Sequence, residues 1–240
     1  MITEKRLNSN LIKCDLYLQR LRKISIFSHL PHENLQEILS QMSVRRWHGG
    51  SIIVGQNEPS DGLYILVGGQ AKEVLIGESG REMTLSVLGP GDFFGAMSLI
   101  GGKPNSANLL ASKDSVLLVL DREAFLDHIK RFPETAHHLL IELSHRLWRS
   151  HELIDNLALH DVASRLSRTL INLATEQGET HDEGILIRHR PTQQELANMV
   201  GTCRETVSRV LSSMARKGLV TSKGRTLLLS NAMMDERQAA

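Results

Sequence analysis

Cysteine, long apolar runs and net charge are all scarce in this chain, and the first two scarcities each remove a class of protein. Cys14 and Cys203 are the only cysteines. Two are too few for an iron–sulfur or structural zinc site, and in an intracellular chain they are expected to stay reduced. No stretch approaches the ~18 consecutive apolar residues of a membrane helix. The first residues, MITEKRLNSNLIKCDLYLQRL, hold neither a continuous apolar h-region nor a small-residue cleavage site. A cytoplasmic protein without membrane attachment is therefore expected. The formal net charge is only +1, so bulk electrostatics select no partner.

Catalytic signatures are missing as well. There is no Walker phosphate loop, nucleophile–base pair or metal-ligand cluster, so nothing supports an enzyme. Of the eleven histidines, His137, His138, His145 and His151 lie in one helical stretch. No pair has the i, i+4 spacing of a helical metal site, and surface polarity explains them; no metal is expected.

What is present starts with length. The 240 residues, 41% of them apolar, suffice for two domains with separate cores. The most informative stretch is Pro191 to Leu219, PTQQELANMVGTCRETVSRVLSSMARKGL. Thr192 with Glu195, and Thr202 with Glu205, both fit the reciprocal capping box, which predicts helices starting near Gln193 and Cys203. Between them Gly201 suits a tight turn. This is a helix-turn-helix pattern.

In the second helix Val207, Val210, Leu211 and Met214 form one apolar stripe. Glu205, Ser208, Arg209 and Ser212 point away from it, with Arg204 on its flank. Arg can bond guanine O6 and N7 in bidentate fashion, and Glu can accept from cytosine N4. Ordinary solvated charges would give a similar face, and the order of the pieces decides between the two. After the helix, Gly218 to Leu229 reads as two short strands around a Lys-Gly-Arg turn, a wing with a basic tip. From Ile185 to Ser230 there are eight basic residues (Arg188, Arg190, Arg204, Arg209, Arg216, Lys217, Lys223, Arg225) against Glu195 and Glu205, a net +6. A local basic footprint of this kind is what phosphate binding requires.

Upstream, Leu16 to Met42 reads as helical, broken by a turn at Ser28–Pro31. From Ser51 to Asp121 short aliphatic runs (Ile52–Val54, Leu63–Val67, Lys72–Ile76, Met83–Leu88, Val116–Leu120) alternate with turns, and thirteen of eighteen glycines fall between Gly49 and Gly102. This spacing predicts an antiparallel β-roll closed by helices. From Phe132 to about Ala158 the chain reads as one helix. Ala136, Leu140, Leu143, Leu147, Ile154 and Leu157 follow alternating steps of four and three, with Ser150 at the remaining position. That seam predicts parallel pairing of two copies; packing on the chain's own roll is the alternative. The segment Ala158–Val162 reads as a hinge, Ala163–Ala174 as a helix and Thr175–Gly184 as an exposed polar loop.

The segments GLYILVGG (from Gly62), LGPGDFFG (from Leu88) and GTCRETVSR (from Gly201) resemble the cyclic-AMP receptor protein and fumarate/nitrate regulator family of bacterial transcription factors. The resemblance covers about Leu21 to Leu229. It implies an α+β fold: a roll with flanking helices over 1–131, a dimerisation helix over 132–158 and a winged helix-turn-helix over 159–240.

It also implies a homodimer on double-stranded DNA. Arg204, Glu205 and Arg209 would read bases of an inverted repeat resembling TGTGA, with Thr192, Gln194, Thr206 and Ser208 in phosphate or secondary contacts. RNA polymerase would meet the loop Thr175–Gly184. In the effector pocket, after Phe94-Gly95, Ala96 stands where cyclic-AMP binders place Glu, and Asn105-Ser106 stands where they place Arg-Ser. Ser150 and His151 match the positions that face the effector across the dimer. With one carboxylate and one guanidinium missing, cyclic AMP held in the usual way is not expected. A pocket filled by side chains, a cyclic dinucleotide bound elsewhere, or a nucleotide-responsive module whose output is not DNA binding remain as alternatives. Cys203 at a helix start fits either a small N-terminal residue or a thiol of lowered pKa.

Overall fold

The computed structural model describes residues 3–6 and 11–235, with side chains from Asp15 onward, so the side chain of Cys14 lies outside the described residues. The chain divides into two compact units: Met1–Ser79 with Thr84–Ser150, and Gly80–Met83 with His151–Ala240.

In the first unit a five-stranded antiparallel sheet runs in the order β1 (Thr3–Arg6), β2 (Met42–Trp47), β9 (Ser115–Asp121), β4 (Gly62–Gly68), β7 (Phe93–Phe94). A four-stranded sheet has the order β3 (Ile52–Val54), β8 (Asn108–Ala111), β5 (Ala71–Ile76), β6 (Glu82–Leu88). Strands β4 and β9 are apolar on both faces because both faces are covered. Leu63, Ile65, Leu118 and Leu120 join a core with Leu35 and Phe125 from the helices and Phe27 from the turns between the first two helices. The alternate residues Tyr64, Leu66, Leu117 and Val119 join Trp47 and Phe94 in a second core.

Four strands of this unit, β1, β2, β7 and β8, are absent from the sequence reading, and two of them show why. Met42 ends no helix; it opens β2, because α2 (His32–Ser40) stops at Gln41 and Met42, Val44 and Trp47 are buried along an extended run. β8 is a four-residue run buried throughout, too short for periodicity to separate strand from helix.

Helix α1 (Leu11–Leu21), α2 and α4 (Arg122–Arg131) pack on the five-stranded sheet through residues such as Leu21, Leu35 and Phe125. The helix α5 (Pro133–Leu159) follows with two apolar sides. Leu139 is buried and Leu143 half-buried against the first core. On that side the Arg146 guanidinium lies 4.5 Å over the Phe93 ring and donates to the Phe93 carbonyl at 2.5 Å. On the other side Leu140, Leu147 and Ile154 are 57–63% exposed. Leu157 and Trp148 are exposed as well.

The second unit holds α6 (Val162–Gln177), α7 (Gln193–Val200), α8 (Arg204–Arg216) and a sheet ordered β10 (Glu179–His181), β11 (Gly184–Ile187), β13 (Thr226–Ser230), β12 (Val220–Lys223). Two sequence expectations are corrected. The hinge at Ala158–Val162 shrinks to His160 and Asp161, because α5 continues to Leu159 and Asp161 caps α6 by accepting from the Ser164 amide at 2.8 Å. Arg165 donates to the His160 carbonyl at 3.1 Å, and Arg168 to Asn156 Oδ1 at 3.1 Å, which ties this link to α6. The polar loop Thr175–Gly184 is instead the end of α6 and a hairpin, with Glu179 opposite Leu186.

A buried polar cluster pins the start of α5. Thr135 is fully buried, and its hydroxyl lies 3.2 Å from His128 Nε2 and 3.3 Å from His29 Nε2. Burial, then the nearby Arg131 charge, pushes His128 down to about 4, and burial followed by His138 lowers His29. A histidine with a depressed native pKa contributes stability above its unfolded value of about 6.5, and that stability is lost as pH falls toward about 4. For His128 the loss is on the order of 3 kcal/mol at about 1.4 kcal/mol per unit. Urea unfolding followed at pH 7 and pH 4.5 should show this fall, and His128→Phe should flatten it; equal pH slopes in the two proteins would refute the assignment.

Candidate nucleic-acid interface

The first helix of the motif, α7, begins with the expected box. Thr192 Oγ1 accepts from the Glu195 amide at 3.2 Å, and Glu195 Oε2 accepts from the Thr192 amide at 2.7 Å. Two orphan donors are thereby satisfied. Gly201 ends the helix at φ +67°, a left-handed cap that favours glycine.

The second box is not formed. Cys203, not Thr202, is the N-cap of α8, so Glu205 sits one position too early to reach back. The Cys203 thiol instead lies 3.2 Å from the Thr206 hydroxyl. Glu205 is held below the usual carboxylate range by a backbone N–H at the helix start and then by the Cys203 thiol. It is therefore an ionised acceptor at neutral pH.

Val207, Leu211 and Met214 face a core built from Leu166, Leu170, Leu196, Val220, Leu227 and Leu229. Val210 is half-buried against it. Their burial turns Arg204, Glu205, Arg209 and Ser212 to the exterior, with Thr206 and Ser208 half-buried between. Arg209 donates to the Thr206 hydroxyl at 3.2 Å, one turn back. Among the described residues neither Glu205 nor Arg209 is in an ion pair. Gln194 is exposed and donates to Asn198 Oδ1 at 2.9 Å, and exposed Thr192 keeps its own O–H free to donate.

The wing is the hairpin β12–β13, with Lys223 opposite Thr226 and exposed Gly224 and Arg225 at its tip. The other basic residues divide. Arg188 is engaged by Glu179, its Nε 2.7 Å from one carboxylate oxygen. Arg190 spends its guanidinium on protein oxygens at the wing, a role invisible to a count of charges.

The candidate effector residues lie in several settings. Gly95 leads into α3 (Ala96–Gly101), with a Cβ there only 2.5 Å from the Gly62 carbonyl, so its backbone is closely packed. Ala96 is buried in the first core. Asn105 is buried, and its amide donates to the Glu58 carbonyl at 2.8 Å while its Oδ1 has no partner among the described residues. Ser106 and His151 are exposed. Ser150 is exposed with its hydroxyl on the Arg146 carbonyl at 2.9 Å. A cleft of about 310 Å³ lies elsewhere, between α2 and α4, and touches none of these residues. No helix of the described residues is long and apolar enough to cross a membrane.

A two-sheet domain followed by a long helix and a winged helix-turn-helix defines a DNA-binding transcription regulator. Residues 44–132 match the cyclic nucleotide-binding domain family and residues 164–234 the Crp-like helix-turn-helix domain. The chain is 29% identical over 219 residues to the CRP-like cAMP-activated global transcriptional regulator of Mycobacterium tuberculosis, covering 91% of this chain and 98% of that protein. It is 32% identical over 197 residues to the cAMP-activated global transcriptional regulator CRP of Escherichia coli, covering 81% and 93%. In structure it is similar to the c-di-GMP responsive global regulator CLP of Xanthomonas campestris, with a TM-score of 0.73, 26% identity and coverage of 84% of this chain and 100% of that one. The chain belongs to the CRP/FNR family.

The capping geometry makes a prediction of its own. Thr192→Ala removes one half of the box and should destabilise the DNA-binding unit by about 1 kcal/mol, whereas Thr192→Ser should be close to neutral. Chemical denaturation read from the helical signal measures both; an unchanged midpoint in Thr192→Ala would show that the box contributes nothing.

Proposed function

We propose that the protein acts as a homodimer that binds an inverted repeat resembling TGTGA in the cytoplasm. The observation that carries this reading is the outward face of α8: Arg204, Glu205 and Arg209 stand together on a helix whose opposite side is buried. Arg209 and Arg204 read guanine and Glu205 reads cytosine in the major groove. Thr192, Gln194, Thr206 and Ser208 supply phosphate and secondary contacts, and the Lys223–Arg225 tip of the wing lies on the backbone.

Pairing occurs through α5, whose Leu140, Leu147 and Ile154 are apolar yet exposed in the single chain. Burying such a stripe against a second copy is the simplest way to remove it from water. Leu143 and Ala136, although in the same four-three register, are half-buried, with Leu143 turned to the chain's own core, so the pairing surface is narrower than the full seam. Two recognition helices related by a two-fold axis then enter successive major grooves about 34 Å apart. The working division is a sensor over 1–131, the pairing helix over 132–158 and the DNA domain over 159–240. RNA polymerase is the proposed further partner, through the exposed turn His181–Glu183 of the β10–β11 hairpin.

Cyclic AMP is not held in the usual way. Ala96 offers no carboxylate, and the Asn105 amide is spent on the Glu58 carbonyl. The curated relatives are named as cAMP-activated and the structural neighbour as c-di-GMP responsive. Calorimetry with both nucleotides distinguishes a mononucleotide site, a dinucleotide site and a roll without an effector.

Arg209→Ala should cost roughly 1–3 kcal/mol on the operator and relax sequence preference. Anisotropy titrations against operator and scrambled duplex test it, and an equal fall on both would make Arg209 a phosphate contact. Leu147→Glu places like charges across the seam and should shift sedimentation from dimer toward monomer at micromolar concentration; a dimer that survives the change would move the pairing surface off α5.

A further inference from the structure

We propose that Arg190 is a positioning residue for DNA binding, gripping the wing turn so that Lys223 and Arg225 meet the phosphate backbone already ordered. This rests on the DNA-binding reading above. The grip is double. The Arg190 amide donates to the Arg225 carbonyl at 2.9 Å, and its guanidinium donates to the Gly224 carbonyl at 3.2 Å and reaches the Ser222 hydroxyl at 3.5 Å. The second terminal nitrogen donates to the Pro191 carbonyl at 3.0 Å, anchoring the head to the segment that leads into α7. Both central residues of the turn, Gly224 and Arg225, are thus held by one side chain and its own backbone.

The turn needs holding. It is a two-residue hairpin with a positive φ only at its first position, Gly224 at +62°, the pattern of a type II′ turn. Glycine supplies that conformation but leaves the free hinge loose. Lys223 and Arg225 are exposed, and neither side chain makes a hydrogen bond or ion pair among the described residues. A cation on a mobile loop must be ordered when it binds, at a cost in affinity; a loop already fixed avoids that cost.

Arg190 suits the task because its planar fork serves acceptors in two directions, which a lysine ammonium on a flexible stem does not. Its Nε is buried and has no hydrogen-bond partner among the described residues. Among the described residues Arg190 forms no ion pair with a carboxylate, so its charge adds to that of the wing. Arg188, two residues earlier, differs on this point, since Glu179 cancels its charge.

The test uses the full chain with Arg190→Lys, which keeps the charge and loses the fork, and Arg190→Gln, which loses the charge. Wing-to-phosphate contacts are independent of sequence, so binding is measured on a random-sequence duplex at low salt and on a duplex carrying an inverted TGTGA repeat. Both variants should weaken both duplexes about 3- to 10-fold. In a Lys223→Ala/Arg225→Ala background, Arg190→Lys should have no further effect, because the groups it positions are gone. Hydrogen exchange should quicken at residues 222–226 in Arg190→Lys while α7 and α8 keep their protection.

Binding by Arg190→Lys equal to that of the unaltered chain, with Arg190→Gln weakened, would make Arg190 a direct phosphate contact and overturn the proposal. A full loss persisting in the wing-neutral background, or loss of protection across α7 and α8, would overturn it too. If the unaltered chain binds neither duplex, the DNA-binding reading itself fails; additive losses on a chain that binds remove only the role of Arg190.

Discussion

Burial of Val207, Leu211 and Met214 sets the rotation of α8, and with it which of its side chains face outward. Each such side chain contributes roughly 1.5–3 kcal/mol when removed from water. A turn of one residue about the helix axis would carry Ser208 and Ser212 toward the core and bring apolar stripe residues outward. The helix therefore has one stable orientation on α6, α7 and the wing sheet, and Arg204, Glu205 and Arg209 face outward in it. Cys203 and the left-handed Gly201 place the start of the helix, so the charged residues occupy its first two turns, the part of a recognition helix that enters the groove.

Around that helix the basic residues serve different ends. Arg188 forms an ion pair, Arg190 braces the wing, and Arg165 and Arg168 fasten the end of α5 to α6. Lys223 and Arg225 keep their charges free at the tip. A net positive segment is thus partly scaffold and partly contact surface. Only the hydrogen-bond partners separate the two, because a guanidinium that has found carbonyls and one that awaits phosphate carry the same charge.

The sensor unit shows a comparable division. Helix α5 uses one side, Leu139, Leu143 and Arg146, to hold the chain's own sheets, and leaves Leu140, Leu147 and Ile154 on another. Of the seam residues, Leu143 packs on the roll, while Leu140, Leu147 and Ile154 stay outside that packing. Asn105 has been recruited into the loop that follows β3 through Glu58, and its amide acts there as a backbone lock.

Helix periodicity, the Thr192–Glu195 cap, the Gly201 turn, the wing and five of the roll strands were readable from local sequence, because each depends on residues close together in the chain. The resemblance of three short segments extended that to the family. Strands β2 and β8, the β10–β11 hairpin, the N-cap at Cys203 and the duties of Arg190 and Asn105 were decided by tertiary structure. Strands β2 and β8 and the duties of Arg190 and Asn105 depend on a partner distant in sequence, such as Leu120 opposite Met42 or Gly224 beside Arg190, and no local pattern encodes which distant group will arrive. By itself the sequence determined which faces must be buried; the fold determined which polar atoms were then left without water and had to find one another, and so which arginines are spent on protein oxygens.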